Sequence, residues 1–207
     1  MKVLLVNGSP EKDGCCERAI EEVAESLKKN GIETEIFWIG NRPIGGCLAC
    51  GYCHEHHVCV LNDKVNEFAL KAKEADGFVF SSPVYYAGMA GNMKSFLDRL
   101  FYSSGALLRG KPGAAVVSSR RAGSTSVFDE INKYFAISQM PIVTSRYWNE
   151  VHGSEKQDVE QDAEGLFTMR VLGDNMAYLL KCLEAGKKAG VVNNAGEEKP
   201  ARTNFIR

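Results

Sequence analysis

Residues Lys2 to Cys16 read KVLLVNGSPEKDGCC, an apolar run that stops at Gly-Ser-Pro and reopens as a helix. Val3, Leu4, Leu5 and Val6 show no polar alternation, the pattern of a strand buried on both faces in a helix-covered parallel sheet. The following loop then lies at the carboxyl edge of that strand. In open parallel sheets ligands bind at that edge, and a loop feeding a helix N-terminus offers free backbone N–H groups to an anion. Ser9 adds a hydroxyl and Lys12 a charge. An ordinary strand-to-helix turn gives the same pattern, and this stretch alone leaves the two readings level.

Helical spacing of Ala19, Ile20, Val23, Ala24 and Leu27 extends a first helix from Glu17 to Lys29, stopped by Asn30-Gly31. Thr34 to Ile39 reads as a second strand. Gly40 to Asn62 has no sustained period and carries Cys47, Cys50, Cys53 and Cys59 among glycines, a long loop with the marks of function. Asp63 is placed to cap a helix running to about Ala75. Gly77 to Ser81 is a third strand, Ser82 to Gly91 a loop, and Met93, Phe96, Leu97 and Leu100 mark the next helix. Gly113 to Ser118 is a fourth strand, Val127 to Phe135 a helix, and Met140 to Thr144 a fifth strand, with Pro141 suited only to its start. A long helix lies within Val159 to Ala189, its buried stripe running from Leu166 through Leu183, with Gly165 and Gly173 interrupting it. Lone Cys182 falls in that stripe and reads as core.

Strand and helix alternate five times, which predicts one doubly wound α/β domain over residues 1–189, with 40–62 as a cysteine-rich insertion. The tail 190–207 has no periodicity; it frays or reaches a neighbouring subunit. The net charge of -1, from 25 basic and 26 acidic residues, points to neither nucleic acid nor an anionic membrane. Neither a signal peptide nor a transmembrane run is evident, so a cytoplasmic protein is expected. Seven cysteines in a reducing compartment suggest metal or redox chemistry sooner than disulfides.

Three strand-end loops share unusual content: GSPEKDG, SPVYYAGMAG and SRRAGS. The first suits a phosphate, the second brings aromatic faces beside close-approach glycines, and the third is polar. Together they describe a mononucleotide site at a topological switch point. Neither the dinucleotide fingerprint G-x-G-x-x-G after a strand nor the Walker motif occurs.

NGSPEKDG after the first strand and SSPVYYAGMAGNMKSFLDR after the third resemble the flavodoxin-like NAD(P)H-dependent FMN reductase family. That resemblance implies a three-layer α/β/α fold with five parallel strands in the order 2-1-3-4-5. It implies FMN as cofactor and NAD(P)H as substrate, with a quinone, flavin or other small molecule as acceptor. It also implies a homodimer or homotetramer. Carried over by position, Ser9, Lys12 and the turn Gly14, Cys15 and Cys16 hold phosphate. Pro83, Val84, Tyr85, Tyr86 and Gly88 contact the ring, and Ser118, Ser119, Arg120, Arg121 and Gly123 close the other side. No catalytic side chain is expected, because the chemistry belongs to the flavin.

Cys15-Cys16 departs from the family, where an Asn-Thr pair is common. A helix N-terminus lowers a thiol pKa, so a reactive thiol is one reading there and a tolerated small residue the other. The spacing Cys47-x2-Cys50-x2-Cys53-x5-Cys59 resembles that of iron-sulfur flavoproteins on the same fold, and four thiolates in a compact loop suit a 4Fe-4S cluster. Metal-free thiols and zinc stay open beside it. The cluster reading makes the protein an electron carrier with a protein partner instead of a reductase of small acceptors. Tyr147, Trp148 and His152 border the same pocket or an interface.

Overall fold

A computed structural model describes residues 1–195. Its elements are β1 (Lys2–Asn7), α1 (Cys15–Lys29), β2 (Glu33–Trp38), α2 (Tyr52–His56), α3 (Lys64–Ala72), β3 (Gly77–Tyr85) and β4 (Gly88–Met89). There follow α4 (Gly91–Ser104), β5 (Gly113–Ser119), α5 (Ser124–Ile137), β6 (Glu150–His152), α6 (Lys156–Gln161) and α7 (Ala163–Lys188). The sheet order is β2-β1-β3-β5-β6, with β4 folded back antiparallel on β3. The strands of that path pair in parallel, and counted without β4 they run 2-1-3-4-5, the flavodoxin-like order expected.

The unbroken apolar runs follow from two covered faces. Leu4, Val6, Phe78, Phe80, Ala115 and Val117 point toward α3, α4 and α5, where Phe68 and Phe96 pack with rings 5.5 Å apart. Val3, Leu5, Val79, Ala114 and Val116 point the other way, toward α1 and α7. Successive side chains alternate faces along a strand, so a strand covered twice has no polar position. Gly173 is the contact point of α7 with α1: a Cβ there would lie 2.5 Å from the Ser26 Cβ, and Ser26 donates to the Arg170 carbonyl at 2.9 Å.

Two expectations are corrected, the edge strand and the core placement of Cys182. The edge strand expected at Met140–Thr144 makes only a bridge through Ile142 to Gly113, and the strand proper is Glu150–His152. The chain leaves the sheet between them. Asn149 supports the return by donating its side-chain amide to the Ala115 carbonyl at 2.9 Å while its own carbonyl accepts from Val117. The long helix expected within Val159 to Ala189 is α7, continuous through Gly173 and preceded by the short α6; Asp162 between them caps α7 through the Gly165 N–H at 2.9 Å. Cys182 is exposed instead of core, because the stripe along α7 turns off the sheet before Leu183, itself exposed. β3 also runs to Tyr85, taking in part of the expected loop, and α2 forms inside the cysteine segment. The tail beyond Ala195 lies outside the described residues.

Candidate functional site

The loops after β1, β3, β5 and β6 meet at the carboxyl edge of the sheet around an open cleft of ≈ 630 Å³. That volume lies in the range of small-molecule and cofactor sites. Gly8 begins the first loop because nothing larger fits: a Cβ there would stand 2.4 Å from the Ser81 carbonyl oxygen, which accepts from the Gly8 N–H. The loop is shaped by Asn7, fully buried at the end of β1. Its side-chain oxygen accepts from the Ser9 N–H at 2.9 Å and its amide donates to the Lys12 carbonyl at 3.1 Å. Trp38 donates to the Ser9 carbonyl at 2.8 Å, and the Ser9 hydroxyl accepts from the Glu11 N–H at 3.1 Å. Gly14 caps α1 with no side-chain bond, so the first-turn N–H groups keep their donors for another acceptor.

On the far side, Ser82 ties the start of the second loop by accepting from Ala90 N–H at 3.0 Å. Tyr86 and Ala87 turn the chain with φ of 51° and 58°, and Tyr85 pairs with Gly88 across the turn. Two left-handed residues that are not glycine store strain, held here by packing and by Glu130, which accepts from Met89 N–H at 3.0 Å. Gly123, φ 91°, lets the β5 loop approach this turn: a Cβ would fall 2.9 Å from the Ala87 Cα. At the end of β5, Ser118 contacts Cys16 Sγ at 3.2 Å. The Ser119 hydroxyl lines the cleft, is buried, and has no hydrogen-bond partner among the described residues. A buried orphaned hydroxyl and an uncapped helix start on one cleft are donors open to an external polar or anionic group.

Of the residues expected here, Ser9, Cys15, Cys16, Pro83, Val84, Tyr85, Ser118, Ser119 and Arg120 line the cleft. Gly14 is buried beneath it, and Gly88 and Gly123 shape its rim. Lys12 lies outside the lining with its ammonium 5.9 Å from the Trp38 ring, and Tyr86 and Arg121 point into solvent. Tyr147 and Trp148 meet edge to face, with ring centroids 4.7 Å apart, away from the lining, and His152 sits 3.8 Å from Asp162. Pro10, Glu11, Asn41, Gly153 and Ser154 line the cleft without having been singled out. Asn7, the residue that organises the loop, carries a signal in the sequence: a polar side chain closing an apolar strand directly before glycine.

The reactive-thiol reading of Cys15-Cys16 is not supported. Burial pushes the Cys16 thiol up to about 12, and burial also raises Cys15. Desolvation of the thiolate outweighs the helix N-terminus at both positions.

Cys47, Cys50, Cys53 and Cys59 line a second, smaller pocket together with Arg99, Tyr102 and Ser103 of α4. Gly51 and Ala49 take left-handed backbone to wrap the loop, and Tyr52 stacks on His56 at 3.8 Å. Asn66 grips Cys59 on both sides, accepting from its N–H at 3.1 Å and donating to its carbonyl at 2.9 Å. Burial, then the neighbouring Cys47, Cys50 and Cys59, push the Cys53 thiol up. Four soft donors on one pocket are a ligand set whose chemistry suits a metal–sulfur group. Among the described residues no group of three His, Cys, Asp or Glu closes around a single metal ion. No helix among them is long and apolar enough to cross a membrane.

The fold and the cleft define a flavodoxin-like oxidoreductase scaffold. The chain belongs to the NADPH-dependent FMN reductase family, whose model matches residues 1–155, and within it to the iron-sulfur flavoproteins. It is 33% identical to an iron-sulfur flavoprotein of Methanocaldococcus jannaschii, across 89% of this chain and 100% of that one. It is 29% identical to the iron-sulfur flavoprotein of Methanosarcina thermophila, across 90% and 99%. A solved archaeal flavodoxin superposes with a TM-score of 0.61 at 16% identity, across 87% of this chain and 99% of that one.

Proposed function

We propose that the cleft holds FMN and that the protein moves electrons between a reduced nicotinamide and a second acceptor. The observation that carries this reading is the orphaned Ser119 hydroxyl facing the uncapped N-terminus of α1 across one cleft. The phosphate would be held by Ser9 and the first-turn N–H groups at Gly14, Cys15 and Cys16. Pro83, Val84 and Tyr85 would flank one side of the ring, with Ser118, Ser119 and Arg120 along the other; Tyr86, Gly88 and Gly123 hold the turn that shapes that wall, and Lys12 and Arg121 stay outside it. When bound, FMN supplies two-electron and one-electron chemistry that no side chain of this chain provides. The protein holds the anion, aims donors at the ring edge and leaves an open mouth where a small donor and acceptor enter.

A second reading is favoured by the four cysteines on one pocket: they would hold a 4Fe-4S cluster, which supplies one-electron transfer. The names of the relatives support it. The two readings are compatible, and together they make the chain a carrier able to split an electron pair.

Anaerobic purification tests both. Flavin absorbance that survives gel filtration is expected after FMN is added, and its absence sinks the first reading. Stoichiometric iron and acid-labile sulfide are expected, and their absence after anaerobic reconstitution removes the second. Ser9→Glu is expected to weaken FMN more than riboflavin, since only FMN carries the phosphate; equal loss would move the phosphate elsewhere.

A further inference from the structure

Arg99 is a fully buried arginine in the middle of α4, on a helix whose other buried residues are mostly apolar. Each of its five guanidinium hydrogens has an acceptor. Nη1 donates to Asp63 Oδ2 at 2.6 Å and to the Gly45 carbonyl at 3.3 Å. Nη2 donates to Asp63 Oδ1 and to the Leu61 carbonyl, both at 2.9 Å. Nε donates to Cys59 Sγ at 3.2 Å. Gly45 and Leu61 stand just outside the first and last cysteines, so one side chain ties both ends of the cysteine loop to α4. Asp63 in turn caps α3 by accepting from the Val65 N–H at 3.0 Å.

Structural tying alone does not call for a cation. Burying a charge costs free energy that a neutral or apolar substitute avoids; two of the five bonds satisfy the loop ends and two pair the guanidinium with the Asp63 carboxylate. The fifth goes to a sulfur. A positive donor on a thiolate favours whichever state of that ligand set is more negative.

We infer that Arg99 is a positioning residue for a metal–sulfur group on Cys59, fixing that sulfur and holding the group at a higher reduction potential than the loop alone would give. The inference rests on the cluster reading above. Asp63 is the counterweight: its carboxylate partly cancels the charge that Arg99 presents to the sulfur. Opposite changes at the two residues therefore move the potential in opposite directions.

The test is an anaerobic redox titration, followed by electron paramagnetic resonance, of the full FMN-loaded chain reconstituted with ferrous iron and sulfide. Arg99→Gln is expected to shift the one-electron equilibrium about tenfold toward the oxidised state, ~59 mV downward. Asp63→Asn keeps a capping side chain and is expected to shift it upward. Unchanged potentials in folded, cluster-loaded variants, or shifts of the same sign, overturn the inference. Where Arg99→Gln retains flavin but takes up no iron, the positioning role is supported and Asp63→Asn alone decides the potential. Where Arg99→Gln does not fold, the sign of the Asp63→Asn shift decides: upward supports, none overturns. Iron and sulfide absent from the wild-type chain that still binds FMN would overturn the cluster reading itself, before any variant is compared.

Discussion

Around the cleft the buried polar groups are short and neutral: Asn7, Ser81, Ser82, Ser118 and Ser119. Around the cysteine pocket the organising group is a long buried cation, Arg99, while Cys47 and Cys50 are exposed. The cleft sits on strand ends, where the sheet already fixes the backbone and small side chains need only finish the loops. The cysteine loop has no sheet beneath it; its short helix α2 buries no residue. A segment without its own core is held by a few strong bonds or not at all. The same contrast governs the thiols, with Cys16 sealed and neutral under the cleft and the four loop cysteines open to a ligand.

The largest effect expected from breaking this contrast is at Arg99. Arg99→Met leaves the Asp63 carboxylate and two carbonyls without their donor. Because Asp63 keeps 35% exposure, the loss should fall near the lower end of about 3–5 kcal/mol, read by urea unfolding. A loss below about 1 kcal/mol would mean the loop is not held by the cation. Next is Gly8→Ala at the cleft, where the added carbon meets the Ser81 carbonyl and Met93 Sδ at 2.6 Å. About 1–3 kcal/mol of stability should be lost, with FMN affinity falling in a flavin titration.

Alkaline stability gives the third measurement. The Cys16 thiol ionises near its ordinary 9.0 when unfolded and near about 12 when folded. Between those values the unfolded chain binds fewer protons, so stability falls as pH rises, by at most about 1.4 kcal/mol per pH unit. Cys16→Ser should show a shallower decline above pH 9 than the wild type in parallel unfolding curves; identical slopes would contradict the sealed thiol. The smallest effect is at Ser119, whose hydroxyl has no partner to lose among the described residues. Ser119→Ala should leave the unfolding midpoint nearly unchanged while weakening FMN by about 0.5–1.5 kcal/mol in a binding titration. Undiminished binding would place the ring edge elsewhere.

Much of the cleft was legible because its signals are local. An apolar run ending at Gly-Ser-Pro, a Pro-to-Gly loop and a Ser-Ser-Arg end each announce a strand edge from adjacent residues. The split edge strand was not, since it depends on Asn149 replacing a rung of the ladder with its side chain. Nor were the cysteine pKa directions, because helix position is read along the chain whereas desolvation comes from burial under distant segments, against which the hydrogen bond to Ser118, 102 residues away, pulls the other way. Arg99 shows the limit best. In the sequence it is one charged residue on an amphipathic helix, where solvent is the ordinary place for a cation.

By itself the sequence determined the alternation of strand and helix, the two-faced core and the chemistry on offer in each loop, since periodicity and turn residues act over a few positions; the strand order was implied by the family resemblance. Only the tertiary structure decided which groups lost their water. That placed Arg99 between the two ends of the cysteine loop, neutralised Cys16 and left Ser119 facing the cleft without a partner, because burial is set by segments distant in the chain.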